Sequence, residues 1–442
     1  MPRWKRTALG LLLSALTGGI VGLLMALYLT VMSADVLFRD SHRWLVLFLP
    51  LAAVITSVVY AGIGRSARRG GNLVLEEMDG TARGLPLRMV PLAFGLSLLT
   101  QLAGGSAGRA GATMQMSGAL SYQLARRLLP PGTEGETLCR TVIAAGVGAG
   151  ISALFGTPLA GAVFAAELCF VGSLRLTLLP YSLLAAFCSR AVTAWLGFGP
   201  VLRPITLPDE EIGLRLTGAV LLASLLFGLV GRLFAAALAA LRQFYARCFP
   251  SPVMFGLATG GILLAGVWLL GGYRYTGFST WMMDLGFAGE TEPLDSIRKF
   301  LLTVLTSGAG LQGGEVTPMF DIGASLGGWL GKSLSVSPSL LAALGMLSVF
   351  GSAANMPVTA VFLGIELCGS AFWPFYLLAA AVSYLASGYS GVYPSQKVVH
   401  RKYYSHREYI GLRLGEISGL AHPLHSPKAR DWEQKEDEQG GE

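Results

Sequence analysis

Charge is what this sequence has least of. Only 13% of its 442 residues are Asp, Glu, Lys or Arg, against 53% hydrophobic, and the mean hydropathy is +0.57. A soluble chain of this length would divide into two or three domains, and so little charge cannot cover their surfaces. Histidine is nearly as scarce: His42, His400, His406, His422 and His425 stand at no metal-ligand spacing. The five cysteines (Cys139, Cys169, Cys188, Cys248, Cys368) form no CxxC pair, so neither a disulfide framework nor a zinc site is indicated. There is no P-loop, no HExxH, and no Ser or Cys nucleophile with a base at motif distance. The sequence therefore points away from an enzyme, and no cofactor or metal is expected. No basic domain stands apart from the apolar runs, which argues against a nucleic-acid partner. The net charge of +7 reads instead as membrane topology plus attraction to anionic headgroups.

What is present is long uncharged sequence. Residues 7–34, 141–166, 333–365 and 367–396 contain no charged side chain, and a spanning helix needs about 20 mostly apolar residues. An all-α polytopic membrane protein follows, the bilayer being its first partner. Helical segments are expected near 8–33, 43–63, 86–103, 110–126, 138–155, 158–172, 176–197, 214–242, 253–271, 297–308, 319–332, 337–350, 357–369 and 372–388. The proline- and acid-rich stretch at 199–213 reads as a linker between an N-terminal half, 1–198, and a C-terminal half, 214–396. A second polar loop is expected at 272–298. The charged tail, 397–442, should be partly disordered, above all at its end, SPKARDWEQKEDEQGGE. Basic MPRWKR, the Arg65, Arg68 and Arg69 cluster and the basic tail place both termini in the cytoplasm by the positive-inside rule. The first apolar run is too long for a signal h-region, so a plasma (bacterial-type inner) membrane location is expected. The cluster around His400 to Arg407 is expected to grip headgroups.

A glycine-spaced element occurs twice. Residues 104–120 read GGSAGRAGATMQMSGAL and residues 313–327 read GGEVTPMFDIGASLG; Gly108 aligns with Gly314. Downstream, Pro158 leads to Glu167-Leu168-Cys169 and Pro357 to Glu366-Leu367-Cys368 at equal spacing. Weakly similar halves with interrupted apolar helices at matching places mark transporter folds that bind an ion near mid-bilayer. Glycine clusters at helix starts leave N–H groups free to hold an anion. Partial charges at helix ends bind an anion without trapping it as a full positive charge would. Three such starts, near Gly71, Gly108 and Gly314, together with a hydroxyl from Tyr393, therefore point to transport of a small anion.

These motifs resemble those of the CLC chloride channels and transporters. Gly108-Arg109-Ala110-Gly111-Ala112 looks like the family's GREGP signature, and Gly314-Glu315-Val316-Thr317-Pro318 is similar to its GxFxP signature. Gly70-Gly71-Asn72-Leu73-Val74, followed by Glu76 and Glu77, sits where the family carries GSGIP and an acid. Pro158 to Glu167 resembles the helix preceding the subunit interface, and Ser387-Gly388 through Tyr393 the last helix with its anion-holding tyrosine. The resemblance covers about residues 10–396. It implies a CLC-type fold of two inverted-topology repeats whose broken helices meet at a mid-membrane anion site, in a homodimer with one pore per subunit. The implied filter residues are Gly71, Asn72, Leu73, Gly108, Arg109, Ala110, Gly111, Gly314, Glu315, Val316, Thr317 and Tyr393, with chloride or another halide as substrate.

Departures from the pattern bear on mechanism. The family's gating glutamate falls at Ala110, whose methyl can carry no proton. Its pore serine falls at Gly71, or at Asn72 if the alignment slips by one, so no hydroxyl is present. Leu168 occupies the place of the exchangers' internal proton-relay acid. A passive anion pathway is the simpler expectation. Glu315 and the Asn72-Leu73-Val74 segment lean instead toward the fluoride-transporting branch, leaving open a proton-coupled fluoride or chloride antiporter with Glu315 as carrier. An ionised carboxylate would repel the anion, so Glu315 is expected to be protonated or turned aside. Glu167 and Glu366 are expected to cap neighbouring backbone or lie at an interface rather than relay protons. Arg109 would either raise the local positive potential or pair with an acid, and Asp321, aligned with Gln115, has no evident role.

Overall fold

The computed structural model describes residues 2–82, 84–206, 213–403 and 407–418. Before the linker come α1 (Arg3–Ser41), α2 (Leu49–Ala61), α3 (Gly71–Asp79), α4 (Met89–Leu102), α5 (Ala110–Leu128), α6 (Thr133–Phe155), α7 (Pro158–Glu167) and α8 (Leu179–Trp195). After it come α9 (Leu214–Cys248), α10 (Pro252–Leu269), α11 (Trp281–Ala288), α12 (Asp295–Gly308), α13 (Val316–Leu334), α14 (Pro338–Ala354), α15 (Pro357–Cys368), α16 (Trp373–Ala386) and α17 (Leu414–Ser418). Residues 207–212, within the stretch read as a linker, and 419–442 of the tail, whose end was expected to be disordered, lie outside the described residues.

Six helical stretches, among the described residues, are long and apolar enough to cross a membrane. Around them Trp195, Leu214, Trp268 and Leu269 are strongly exposed, an arrangement that suits a lipid surround. Some elements are too short to cross alone. The ten residues of α7 reach about 15 Å at 1.5 Å per residue, half the hydrocarbon thickness.

Helices α3 and α11 were not among the expected segments. A helix start was expected near Gly71, and the structure extends it into the nine-residue α3. Gly70, at φ +54°, turns the chain into it, Gly80 in the left-handed region ends it, and Leu73, Val74, Leu75 and Met78 are buried. Its two adjacent glutamates hide this apolar face from a linear reading. The polar stretch at 272–298 likewise contains α11, stopped by left-handed Gly289.

Small residues set the spacing of the core. On α13 a Cβ at Gly323 would lie 2.1 Å from the Gly345 carbonyl oxygen of α14, and a Cβ at Gly345 would lie 2.1 Å from that of Gly323. Such backbone contact is how helices associate where lipid leaves no hydrophobic driving force between them.

The start of the tail is built into the fold. Strand β1 (Phe170–Val171) pairs in parallel with β2 (Lys397–Val398). Lys402 is turned inward, donating to Asn355 Oδ1 (2.5 Å), the Tyr384 carbonyl (3.1 Å) and Ser387 Oγ (3.1 Å). This corrects the expectation that the whole basic cluster faces headgroups. Fixed acceptors satisfy this ammonium, whereas His406 lies outside the described residues.

Candidate functional site

The N-termini of α3, α5 and α13 converge on one open cavity of about 930 Å³. Gly71 and Asn72 line it from α3, Gly111 and Gln115 from α5, Gly314 and Glu315 from the start of α13, and Tyr393 from the segment after α16. The first N–H groups of a helix lack intrahelical partners, those of Asn72 and Leu73 turning back to the Arg69 and Gly70 carbonyls, and the helix dipoles put partial positive charge at these ends. Tyr393, 8% exposed, adds a hydroxyl at the cavity wall. Asn72 accepts a hydrogen bond from the Ser395 amide at 3.3 Å, which holds α3 against the Tyr393 segment.

Glycine makes the convergence possible. A Cβ at Gly111 would lie 2.3 Å from the Gly313 carbonyl oxygen, and one at Gly314 would lie 2.3 Å from the Gly111 nitrogen. The Gly108 amide donates to the Gly314 carbonyl at 2.6 Å, and Gln115 Nε2 donates to Gln312 Oε1 at 3.1 Å. The two copies of the repeated motif are thus joined backbone to backbone.

The remaining expected site residues stand behind this wall. Gly108 packs on the Thr317 side chain, at 2.9 Å from a built Cβ. Leu73, Ala110, Val316 and Thr317 are buried and do not line the cavity. Arg109 also lies off the cavity. Its guanidinium stacks 4.7 Å from the Phe278 ring centroid, and its Nε has no hydrogen-bond partner. Among the described residues no acid pairs with it.

Glu315 lines the cavity and is paired rather than turned aside: Arg242 Nη2 of α9 donates to its carboxylate at 3.0 Å, setting a cation against the acid. The linear sequence did not single out Arg242, one of four arginines on a long apolar helix. Arg413 was missed as well. It comes from the docked tail to within 3.3 Å of the Glu76 carboxylate, which also accepts from Ser395 Oγ at 2.8 Å and is bonded by Arg69. Cavity-lining arginines 68, 69, 242 and 413 face glutamates 76, 315 and 416, leaving a slight positive excess beside the helix ends.

Glu167 and Glu366 act as reciprocal caps. Glu366 accepts from the amides of Leu159 (2.9 Å) and Ala160 (2.7 Å) at the start of α7. Glu167 accepts from the amides of Val358 (3.0 Å) and Thr359 (2.8 Å) at the start of α15, and from Thr359 Oγ1 (2.6 Å). Each acid satisfies the open N–H groups of the other half's proline-started helix.

With this fold and this meeting of helix ends established, comparison with known proteins gives the class. The chain belongs to the voltage gated chloride channel family, whose model matches residues 51–388. It is 33% identical over 403 residues to a chloride/fluoride channel protein of Pseudomonas syringae pv. tomato, covering 89% of this chain and 87% of that one. To an H(+)/Cl(-) exchange transporter ClcA of Vibrio cholerae it is 27% identical over 345 residues, covering 73% and 72%. Its structure is similar to a crystal structure of a CLC-type fluoride/proton antiporter, with a TM-score of 0.84 and 33% identity over 90% of this chain and 100% of that one. The sequence-derived expectation of an all-α CLC-type membrane fold holds.

Proposed function

We propose that this protein passes small inorganic anions, chloride and fluoride, across the membrane by a passive CLC-type pathway without stoichiometric proton coupling. The observation that carries the reading is Ala110. It opens α5 at the point where the two filter loops lock together, is 2% exposed, and holds a methyl where an exchanger needs a carboxylate. The anion site in this reading is built from Gly71, Asn72, Leu73, Gly108, Arg109, Ala110, Gly111, Gly314, Glu315, Val316 and Thr317 with the Tyr393 hydroxyl, the amides of Asn72, Leu73 and Gly108 being committed to the carbonyls of Arg69, Gly70 and Gly314. Weak, preorganised donors of this kind permit both entry and departure of the ion. The protein acts as a homodimer, its two repeats are 1–198 and 214–396 joined by the linker 199–213, and both termini are cytoplasmic. Supporting that orientation, Arg68 and Arg69 share the cavity mouth with Arg413 of the tail.

Paired anion and proton fluxes from proteoliposomes test the reading, in chloride and then in fluoride. Anion efflux without proton movement is the expected result; proton movement locked to anion flow would overturn it. Restoring the acid by Ala110→Glu should slow the flux and make it depend on pH. A second reading, proton-coupled antiport through Glu315, draws on its place at the cavity and on the likeness to a fluoride/proton antiporter. It requires Glu315→Gln to abolish a proton flux present in the wild type. The Arg242 partner weighs against it, since a proton must displace a guanidinium already bonded to that carboxylate.

A further inference from the structure

Off the cavity lies a buried charge pair that the anion pathway described above does not use. Lys299 of α12 and Asp321 of α13 are both 0% exposed, with Nζ 3.8 Å from Oδ2. The lysine is held in place, donating to the carbonyls of Gly277 (2.7 Å) and Tyr275 (3.4 Å). The aspartate is not: neither carboxylate oxygen has a hydrogen-bond partner. Buried carboxylates ordinarily accept several hydrogen bonds, as Glu167 and Glu366 do here. An ionised carboxyl left with a single cation just beyond hydrogen-bond distance is a poorly solvated anion.

The position of the pair ties it to the filter. Asp321 stands one helical turn, about 6 Å, beyond Thr317, whose buried hydroxyl is itself unpartnered and packs on Gly108. Lys299 stands one turn before Thr303, which bonds Ser106 Oγ at 3.0 Å, and Thr306 of the same helix accepts from the Ser106 amide at 3.0 Å. The loop carrying Gly108 is therefore held by the faces of α12 and α13 that carry the two charges.

We infer that Asp321 and Lys299 form a proton-operated charge switch: with Asp321 ionised the pair is neutral, and with Asp321 protonated Lys299 stands as an uncompensated cation that draws an anion to the filter. A proton adds to a carboxylate oxygen of Asp321 and no covalent bond breaks. Few other charges reach the pair. Asp284 of α11 and Arg203 act on Asp321 but are bonded to each other at 2.9 Å, and Arg39 of α1 acts on Lys299. The packed α14 carries no ionisable side chain, Arg242 of α9 is spent on Glu315, and Arg109 beside α5 is turned to Phe278.

The inference rests on the anion-transport reading, and its test separates the two. Anion efflux from proteoliposomes holding the wild type and D321N is measured from about pH 4 to about pH 7, a range that begins at ordinary Asp titration and stays well below ordinary Lys titration, so that Lys299 keeps its charge. A unit charge about 10 Å from the filter at an effective dielectric near 20 predicts a roughly tenfold rise in wild-type flux as pH falls. D321N should be flat, at the fast acid level. A D321N variant that keeps the wild-type pH dependence overturns the inference and leaves the transport reading standing. Wild-type protein without anion flux at any pH overturns both. If D321N does not assemble, the doubly neutral D321N/K299Q serves in its place. It should be flat at the slow level, and a retained pH dependence there overturns the inference equally.

Discussion

Removing the reciprocal caps should cost stability unequally. Glu167 is 4% exposed and accepts three hydrogen bonds, two from amides and one from the Thr359 hydroxyl. Glu366 is half-buried and accepts two. Truncating an N-cap acceptor costs about 1 kcal/mol, with a range of about 0.5–2, and each buried donor left open adds about 1–3 kcal/mol where water cannot reach it. Relief from burying the carboxylate offsets part of this. Glu167→Ala should therefore cost about 2–3 kcal/mol and Glu366→Ala about 1–2 kcal/mol, water being able to reach the second site. Thermal unfolding of the purified variants in detergent measures the order. The midpoint should fall by several degrees for the first and by less for the second, while anion flux per assembled protein stays near wild type with no proton flux in any variant. Equal losses, or a larger loss for Glu366→Ala, would refute the assignment of stabilisation by burial and bond number. Unchanged midpoints with lost flux would refute capping itself in favour of a transport role.

Two further outcomes are expected. Gly111→Ala places a Cβ 2.3 Å from the Gly313 carbonyl oxygen, an overlap costing at least about 1–3 kcal/mol. It should abolish flux or assembly, read by efflux together with gel filtration, and an active, monodisperse variant would contradict the locked-loop geometry. Arg242→Gln leaves the Glu315 carboxylate facing the cavity without its partner. A like charge about 8 Å away through water should slow anion flux about two- to threefold, and the double variant R242Q/E315Q should restore it.

Much of this protein was legible in its order of residues. Uncharged runs longer than a bilayer is thick require helices in lipid, because water is absent there to satisfy a bare backbone. The doubled glycine motif, with its proline-to-Glu-Leu-Cys echo, marked the two halves and the helix starts that meet at the cavity. The resemblance of Gly108-Arg109-Ala110-Gly111-Ala112 to the GREGP signature located Ala110, since a missing acid at a matched position needs no coordinates. The equivalence of Glu167 and Glu366 was visible too, but not that each caps the other's counterpart helix. That exchange depends on the halves facing one another, which separation along the chain does not encode. Arg242 reaches Glu315 across 73 residues, and Arg413 reaches Glu76 from the far end of the chain. Nothing local to any of the four predicts a partner. Lys299 and Asp321 are the sharpest case. In sequence they are a base near the start of one helix and an acid inside the next. Only the packing of α12 on α13 removes both from water and leaves the acid without a hydrogen bond. Composition, periodicity and a repeated motif determined what kind of protein this is, because these properties are local and additive along the chain. Which charges oppose which was decided by tertiary structure alone, because electrostatic energy depends on distance and burial rather than on order.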